Sequence, residues 1–326
     1  MCAACRTGQG GGSVGAPTSD APAYAAGDLS LLVEPDQGLT PIYALMASAH
    51  RSIDLTMYEL VDTDAELALE QAAGRGVAVR VLLDTNRERT ANQAAYTELT
   101  DMGVRVTWAD ARYAATHQKT LVVDDSVAAV MSLNLTSRFY PDTRDFAVLD
   151  RNPADVAAIA SVFDADFRNA KVASTAGTGL IWSPRQSGPA LLALIDGATS
   201  SLLVENEELA YPAITAALSR AARRGVRVVV VMTDATQWHD AFAKLIAAGV
   251  AVRIYAQQAP LYIHAKVVVA DIGTPRQRAF MGSENFSAAS LNHNRELGVQ
   301  TADRTVVTGL ATVIEGDATG AATWRP

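Results

Sequence analysis

Two distant segments of this chain carry the same polar residues at the same spacing. The segment THQKTLVVDD contains His117, Lys119 and Asp124, and the segment IHAKVVVAD contains His264, Lys266 and Asp271. Successive side chains of a strand point to opposite faces, so the histidine and the lysine of each copy lie on one face. A fold can repeat with any apolar residues on its strands. Polar residues at the start of a strand do not help it to pack, so their repetition indicates that both copies serve the same chemistry.

The repetition extends over most of the chain and predicts two similar halves. The aligned segments are residues 33–60 with 181–209, 72–85 with 221–234, and 98–110 with 244–256. In this register Gly76 pairs with Gly225 and Gly103 pairs with Gly249. Each half also ends in a polar tag that follows the histidine strand. The tags are Ser132 with Asn134 in the first half and Ser283 with Asn285 in the second.

Within each half, helical and extended patterns alternate. Residues 40–50 and 64–74 have apolar residues at helical spacing, whereas SIDLTMY, VAVRVLL and KTLVVDD are short β-branched runs. Gly76 and Gly103 lie between a helix and a strand, where a left-handed residue is favoured. This alternation predicts an α/β fold. Each half is expected to be a mixed, mostly parallel sheet flanked by helices, and a pseudo-twofold axis relates the halves.

The repeat also predicts the domain boundaries. A flexible tail rich in Gly, Ser and Pro is expected over residues 1–28, the first half over residues 29–150 and the second half over residues 178–326. Residues 151–177 are expected to connect the halves by a helix and a flexible turn. Because one chain supplies both copies of the motif, we expect a monomer.

Composition disfavours several classes of protein. Of the 326 residues, 49% are hydrophobic and 19% are charged, which is typical of a globular protein. No apolar run approaches the roughly 20 residues that a membrane-spanning helix needs. The formal net charge of −8 disfavours a protein that binds by neutralising many nucleic-acid phosphates. Both cysteines, Cys2 and Cys5, precede the folded part, which excludes a disulfide framework or a cysteine metal site there.

The N-terminus gives an indication of the compartment. MCAACRTGQGGG resembles the end of a bacterial lipoprotein signal in which Cys5 would be acylated, although the apolar region of such a signal is missing. If the natural start lies upstream, a cell-envelope or secreted location is favoured. Otherwise a cytoplasmic location is expected.

The duplicated histidines suit the chemistry of a phosphodiester. One histidine can act as the nucleophile and the other as a general acid, provided that the twofold axis brings them together. The lysines and asparagines of the motifs would hold the non-bridging phosphate oxygens, whose charge rises in the transition state. This scheme needs no metal and no other cofactor. A single histidine would more often be structural, and it is the second copy that favours catalysis.

These motifs resemble the signature of the phospholipase D superfamily, which is a duplicated His-x-Lys, four residues, Asp, followed by Gly-Ser-x-Asn. The resemblance covers residues 29–302. The second copy keeps the glycine of the tag as Gly282, whereas Met131 replaces it in the first copy.

The resemblance implies a role for each motif residue. His117 is expected to attack phosphorus and form a covalent phosphohistidine, and His264 is expected to act as acid and then base, although the symmetry of the motifs leaves the reverse assignment open. An acidic residue after each motif is expected to orient a histidine, which indicates Asp145 and Glu296. The expected phosphate ligands are Lys119, Ser132, Asn134, Lys266, Ser283 and Asn285. Asp124 and Asp271 are expected to be structural.

The resemblance indicates a chemistry and leaves the substrate open. The superfamily includes phospholipases D, cardiolipin and phosphatidylserine synthases, nucleases and inactive scaffolds. We expect a phospholipase D-type hydrolase or phosphatidyltransferase that acts on phospholipid at a membrane surface, because the acidic composition disfavours nucleic acid. The alternatives are a cardiolipin synthase-type phosphatidyltransferase, a metal-independent endonuclease and an inactive scaffold. Strand-end glutamates could line the pocket; these are Glu59, Glu205, Glu207 and Glu208.

Overall fold

The computed structural model describes residues 27–172 and 177–326. The predicted tail with Cys2 and Cys5 lies almost wholly outside these residues, as does part of the predicted turn between the halves.

The first half consists of one large sheet, a two-stranded ladder and flanking helices. Its strands are β1 (Leu29–Glu34), β2 (Ser52–Met57), β3 (Leu60–Val61), β4 (Ala78–Leu83), β5 (Arg105–Trp108), β6 (Thr120–Val123), β7 (Val127–Met131), β8 (Leu135–Thr136) and β9 (Thr143–Asp150). Its helices are α1 (Thr40–Ala47), α2 (Thr63–Gly74), α3 (Gln93–Asp101) and α4 (Pro153–Phe167).

The second half repeats this arrangement. Its strands are β10 (Leu180–Ser183), β11 (Ser201–Asn206), β12 (Arg227–Thr233), β13 (Ala251–Tyr255), β14 (Tyr262–Ile263), β15 (Lys266–Ala270), β16 (Arg278–Gly282), β17 (Glu296–Thr301) and β18 (Ala322–Thr323). Its helices are α5 (Ser187–Gly197), α6 (Pro212–Arg223), α7 (His239–Ala247), α8 (Ala288–Asn292) and α9 (Arg304–Gly320).

The two large sheets share one strand order, which confirms the predicted repeat. The first runs β1-β9-β7-β6-β2-β4-β5 and the second runs β10-β17-β16-β15-β11-β12-β13, with β18 added at its edge. Both sheets are mixed, as predicted, but most of their pairings are antiparallel. Among the first-half strands of the first sheet, the parallel pairs are β2 with β4 and β4 with β5, which are the pairs joined through a crossover helix. The sequence analysis also missed the edge strand β1.

Glycines end the crossover helices as predicted. Gly76 and Gly103 have φ values of +87° and +84°, and their repeat partners Gly225 and Gly249 have φ values of +91° and +93°. A residue with a side chain is strained in this left-handed region, so glycine lets the chain leave the helix and enter the next strand directly.

Apolar cores lie on both faces of each sheet. On the outer faces, α1 to α3 cover the first sheet and α5 to α7 cover the second. Between the halves, α4 packs Val156, Ile159 and Val162 against strands of both sheets, and α9 does the same with its own buried face. Burial of each large aliphatic side chain contributes about 1.5–3 kcal/mol, so these shared cores hold the two halves in a fixed relation.

Within residues 27–172 and 177–326, no helix combines the length and apolarity required to cross a membrane.

The halves also exchange short backbone pairings next to the histidine strands. β14 pairs in parallel with β9, aligning Ile263 with Arg144. At the symmetric position, Thr116 forms a parallel bridge with Arg295. The segment that leads into each histidine is therefore attached to the opposite half, and this exchange determines the geometry of the site.

Candidate active site

The first histidine is oriented by a carboxylate from the second half. The backbone N–H of His117 donates to the carbonyl oxygen of Arg295 over 2.9 Å, which places the imidazole beside the next residue, Glu296. His117 Nδ1 lies 2.8 Å from Glu296 Oε2 and 3.2 Å from the carbonyl oxygen of Ser283. With Nδ1 engaged in this way, Nε2 is left for the pocket.

The second histidine is oriented in the reciprocal way. The backbone N–H of His264 donates to the carbonyl oxygen of Arg144 over 3.2 Å. Its Nδ1 lies 2.9 Å from Asp145 Oδ1. Each carboxylate that the sequence indicated thus lies against the histidine of the other half, a crossing that the sequence did not predict.

The two orienting carboxylates are themselves held by buried hydroxyl and amide groups. Ser290 and Asn294 donate to Glu296 Oε1 over 2.7 and 3.0 Å. In the first half, the hydroxyl of Ser132 donates to Asp145 Oδ1 over 2.5 Å. Sequence reasoning missed Ser290 and Asn294, which lie between the tag and β17 and have no marked repeat partner.

The serines of the two tags lie behind the histidines instead of in the pocket. Ser132 is fully buried and also accepts the backbone N–H of Phe146 over 2.9 Å. Ser283 is fully buried and accepts the backbone N–H of Leu297 over 3.3 Å. The sequence analysis expected both serines to bind phosphate, and the geometry favours a supporting role for them, because their hydroxyls are already used within the protein.

A cavity of about 510 Å³ lies between the halves and is lined by both histidines. Asn134 and Asn285 of the tags also line it, and their Oδ1 atoms have no hydrogen-bond partner among the described residues. Its other polar lining residues include Tyr58, Glu34, Asp142, Asp145, Glu207 and Glu208. The two histidines and two asparagines of the motifs therefore share one pocket.

The two motif lysines are fully buried beside the histidines. Lys119 Nζ donates to the carbonyl oxygen of His117 over 2.6 Å and lies 4.8 Å from the ring centroid of Tyr58. Lys266 Nζ donates to the carbonyl oxygen of His264 and lies 3.1 Å from Glu207 Oε2. Each lysine thus donates to the carbonyl oxygen of the histidine two residues before it. The other side chain beside each lysine, its second neighbour, differs between the halves: Tyr58 for Lys119 and Glu207 for Lys266.

Those second neighbours, Tyr58 and Glu207, occupy equivalent repeat positions just after β2 and β11. The ring of Tyr58 packs edge-on against His117, with centroids 4.5 Å apart. Glu207 instead presents a carboxylate to His264, Lys266 and Asn285. Sequence reasoning missed Tyr58, although its alignment with Glu207 was a usable signal. Of the other strand-end glutamates, Glu208 lines the pocket.

Burial and neighbouring charges shift the ionisation of the site. Burial lowers the pKa of His117, and although Glu296 opposes this effect, the charges of Lys119 and Lys266 add to it. Burial also lowers the pKa of Lys119 to about 7. Burial opposes ionisation of Glu207, but the charges of Lys266 and the two histidines hold its pKa below the ordinary value. A neutral His117 beside cationic groups is the state that a nucleophile toward phosphorus requires.

The motif aspartates lie away from the pocket and bind backbone amides. Asp124 accepts the N–H groups of His50, Arg51 and Ser52 over 2.7 to 2.9 Å. Asp271 accepts those of residues 199–201 over 2.6 to 3.2 Å. Both have a φ of +54°. Each carboxylate ties the end of the histidine strand to the loop before the central strand of its own half.

The first tag has Met131 where the second has Gly282, and a second substitution nearby accompanies this difference. Gly282 leaves room for the buried carboxyl of Glu284, since a Cβ at Gly282 would lie 2.4 Å from Glu284 Oε2. In the first half the equivalent residues are Met131 and Leu133, which are both buried in the apolar core. The pair has changed together, so the backbone of the first tag keeps its place beside Asn134.

Comparison with known proteins identifies relatives that match most of the chain. The family model described as "Cardiolipin synthase, PLD-like domain" matches twice, over residues 42–169 and 191–318. Cardiolipin synthase B of Salmonella typhi is 24% identical over 329 aligned residues, which cover 85% of this chain and 77% of that protein.

Two solved structures share the fold at low sequence identity. Phosphatidylserine synthase of Haemophilus influenzae superposes with a TM-score of 0.68 at 12% identity, covering 92% of this chain and 88% of that one. Polyphosphate kinase of Porphyromonas gingivalis superposes with a TM-score of 0.67 at 16% identity, covering 89% of this chain and 50% of that one. At such identities the likeness concerns the fold alone.

Proposed function

This chain belongs to the family of phospholipase D-like domains described by the cardiolipin synthase model, and on that premise we propose that it transfers phosphatidyl groups of phospholipids through a phosphohistidine. The observation that carries the proposal is the crossed pair of contacts in one pocket, His117 with Glu296 and His264 with Asp145. Each contact fixes an imidazole at Nδ1 and directs Nε2 to the substrate.

The proposed reaction has two displacement steps at phosphorus. In the first, His117 Nε2 forms a bond to phosphorus while the bond to the headgroup oxygen breaks, and His264 gives its Nε2 proton to that oxygen. In the second, His264 takes a proton from water or an alcohol, whose oxygen attacks phosphorus and releases His117. Glu296 stabilises the imidazolium that forms on attack. Lys119, Lys266, Asn134 and Asn285 would stabilise the charge on the non-bridging oxygens.

The lining of the pocket favours a phospholipid over a nucleic acid. Asp142, Glu207 and Glu208 add carboxylates around the histidines, and these would repel the neighbouring phosphates of a polynucleotide. The same groups suit the amine or hydroxyls of a lipid headgroup. Phe139 and Tyr262, which are 42% and 39% exposed, lie at the lining of the same pocket and offer apolar surface to a lipid. We therefore propose peripheral contact with a membrane surface at these two residues.

An alcohol is the acceptor that the family description favours. Transfer to a lipid alcohol would make the protein a cardiolipin synthase-type phosphatidyltransferase, whereas transfer to water would make it a phospholipase D. A metal-independent endonuclease and an inactive scaffold remain as the alternatives.

Because both histidines and both orienting carboxylates come from one chain, we propose that a monomer is active. We also propose that residues 29–150 and 178–326 form the two halves and that residues 151–177 connect them.

The test uses the full chain with mixed phosphatidylglycerol and phosphatidylethanolamine vesicles, with and without added glycerol. We expect a new phosphatidyl-alcohol in excess over phosphatidic acid, and loss of both products in His117→Ala. His50→Ala is the matched control, because His50 is an exposed histidine outside the pocket. Parallel reactions contain single-stranded and double-stranded DNA. Cleavage of DNA without lipid turnover would overturn the lipid proposal, and no turnover of either substrate would leave the scaffold alternative.

A further inference from the structure

A second polar cavity, of about 500 Å³, is lined in part by Arg295, the residue that directly precedes Glu296. Four cationic side chains line it, namely Arg112, Lys171, Arg185 and Arg295, and none of the lining residues that the structure describes is acidic. Asp110 pairs with Arg112 and Asp166 pairs with Arg295. The other two cations lack an ion pair among the described residues, so the cavity carries an excess of positive charge.

Two buried donors of this cavity have no hydrogen-bond partner among the described residues. They are Nη2 of Arg295 and Nε1 of Trp182, whose residues are 4% and 2% exposed. A buried donor that is left unpaired destabilises the folded chain, and a charged donor does so more strongly. Such donors are retained where something else accepts their protons.

The repeat supplies an internal comparison, because Arg144 is the first-half counterpart of Arg295. The guanidinium of Arg144 is fully engaged: it forms a two-point contact with Asp317 at 2.6 and 3.0 Å, and it also donates to Asp36 and to the carbonyl oxygen of Glu34. Among the residues that the structure describes, the guanidinium of Arg295 donates a hydrogen bond only through Nε, to Asp166 over 2.7 Å. The second half has therefore lost the acceptors that satisfy this arginine in the first half.

The guanidinium of Arg295 is nevertheless held in a fixed orientation. Its Cζ lies 4.9 Å from the ring centroid of Trp182 and 5.5 Å from that of Tyr113. An arginine fixed between two aromatic rings loses little entropy when it binds a planar or tetrahedral anion. The free Nη2, the indole N–H and the two unpaired cations together match a doubly charged oxyanion.

We propose that this cavity is a binding site for a phosphate dianion, either free or as a monoester, distinct from the pocket that contains the histidines. Its ligand can be free phosphate or the headgroup of a lipid such as phosphatidic acid, which present the same chemistry. An anion bound there would be connected to the histidine pocket through the backbone of Arg295. The carbonyl oxygen of Arg295 accepts the N–H groups of His117 and Gln118, each over 2.9 Å. The proposal does not depend on the substrate of the reaction.

Trp182 provides a direct readout of the site. The chain has 4 tryptophans, so the emission that belongs to Trp182 is taken as the difference between the full chain and Trp182→Phe. The chain is titrated with inorganic phosphate and, separately, with soluble dihexanoyl phosphatidic acid. We expect a saturable change in this difference emission with at least one probe, and the probe that binds more tightly identifies the source of the ligand.

The variants separate this site from the histidine pocket. Arg295→Gln is expected to weaken binding by about tenfold or more, the usual effect of losing a charge-assisted hydrogen bond. Because that variant also leaves Asp166 unpaired, the exposed double variant Lys171→Gln/Arg185→Gln is measured too, with a weakening of about threefold to tenfold expected. Arg304→Gln, an exposed arginine outside the cavity, is the matched control. In Asn285→Ala, which alters the histidine pocket, the signal should persist.

Two results would overturn the proposal. One is the absence of any change in the Trp182 emission with either probe. The other is a change that persists unaltered in the double variant and in a folded Arg295→Gln, or that disappears in Asn285→Ala, since the signal would then come from elsewhere in the protein.

Discussion

The carboxylate of Glu207 lies 3.1 Å from Nζ of Lys266, a lysine that the family resemblance assigns to the substrate phosphate. The same carboxylate accepts from Nδ2 of Asn285 over 3.2 Å and from the hydroxyl of Tyr262 over 3.3 Å. It also lies 3.5 Å from Nε2 of His264. Glu207 and a bound phosphate would therefore use the same donors, and one must move before the other can bind.

The first prediction concerns this competition. Glu207→Gln removes the internal anion, so we expect the inhibition constant of orthovanadate to fall by about tenfold, which corresponds to about 1.4 kcal/mol. Glu208→Gln, the neighbouring glutamate of the same pocket, should change it by less than about threefold. Weaker vanadate binding in Glu207→Gln would mean instead that Glu207 holds Lys266 in place for the substrate.

The second prediction separates two roles for Ser132. Because its hydroxyl donates to Asp145 over 2.5 Å, Ser132→Ala should loosen the carboxylate that orients His264. We expect kcat to fall by about tenfold, with little change in KM. A rise in KM at constant kcat would indicate the phosphate contact that the sequence suggested. Ser126→Ala, in an exposed turn, serves as the control.

The third prediction concerns the orientation of His117. Glu296→Gln keeps the shape of the side chain but removes its charge, and kcat should fall by about 10²- to 10⁴-fold. Since Glu296 raises the pKa of His117 against the effect of burial, its loss should lower that pKa further. The acidic limb of the kcat/KM profile should then move to lower pH in Glu296→Gln. An unchanged profile would argue against His117 as the group that titrates there.

The fourth prediction links pH to stability through Lys119. Burial lowers its pKa to about 7 in the folded chain, whereas the unfolded chain keeps the ordinary value of about 10.4. Between these values the unfolded state binds more protons, so the free energy of unfolding should rise with pH, by up to about 1.4 kcal/mol per pH unit. Urea unfolding between pH 7 and pH 9 should show a shallower rise in Lys119→Met than in the parent chain. A parallel dependence in both proteins would contradict the shift, and Lys244→Met is the exposed control.

The repeated pattern made much of the fold predictable. Gly76 and Gly103 marked the ends of helices because only a left-handed residue fits there, and their φ values confirm that interpretation. The short turn between β6 and β7 requires an antiparallel pair, whereas β1 and β9 are distant in the sequence and pair through contacts that no local pattern encodes. A β-branched run indicates a strand but not the orientation of its neighbour.

The sequence indicated most residues of the site, but it did not indicate which carboxylate lies against which histidine. Asp145 and Glu296 were indicated by their places after each motif, but their exchange between the halves depends on the docking of β14 on β9 and of Thr116 on Arg295. Tyr58 and Glu207 differ in type at one repeat position. The sequence indicated Glu207 as a strand-end glutamate, but a search for residues shared by the two halves passed over Tyr58.

Because Glu296 orients His117, the group that orients this histidine is synthesised after both histidines. A chain that is being translated contains His117 and His264 before residue 296 has been added, so it holds both histidines while the partner of His117 is still missing. Any product that terminates between residues 264 and 296 has the same deficiency. The nucleophile that we propose therefore gains its orienting group only after residue 296 has been synthesised and β17 can join the second sheet.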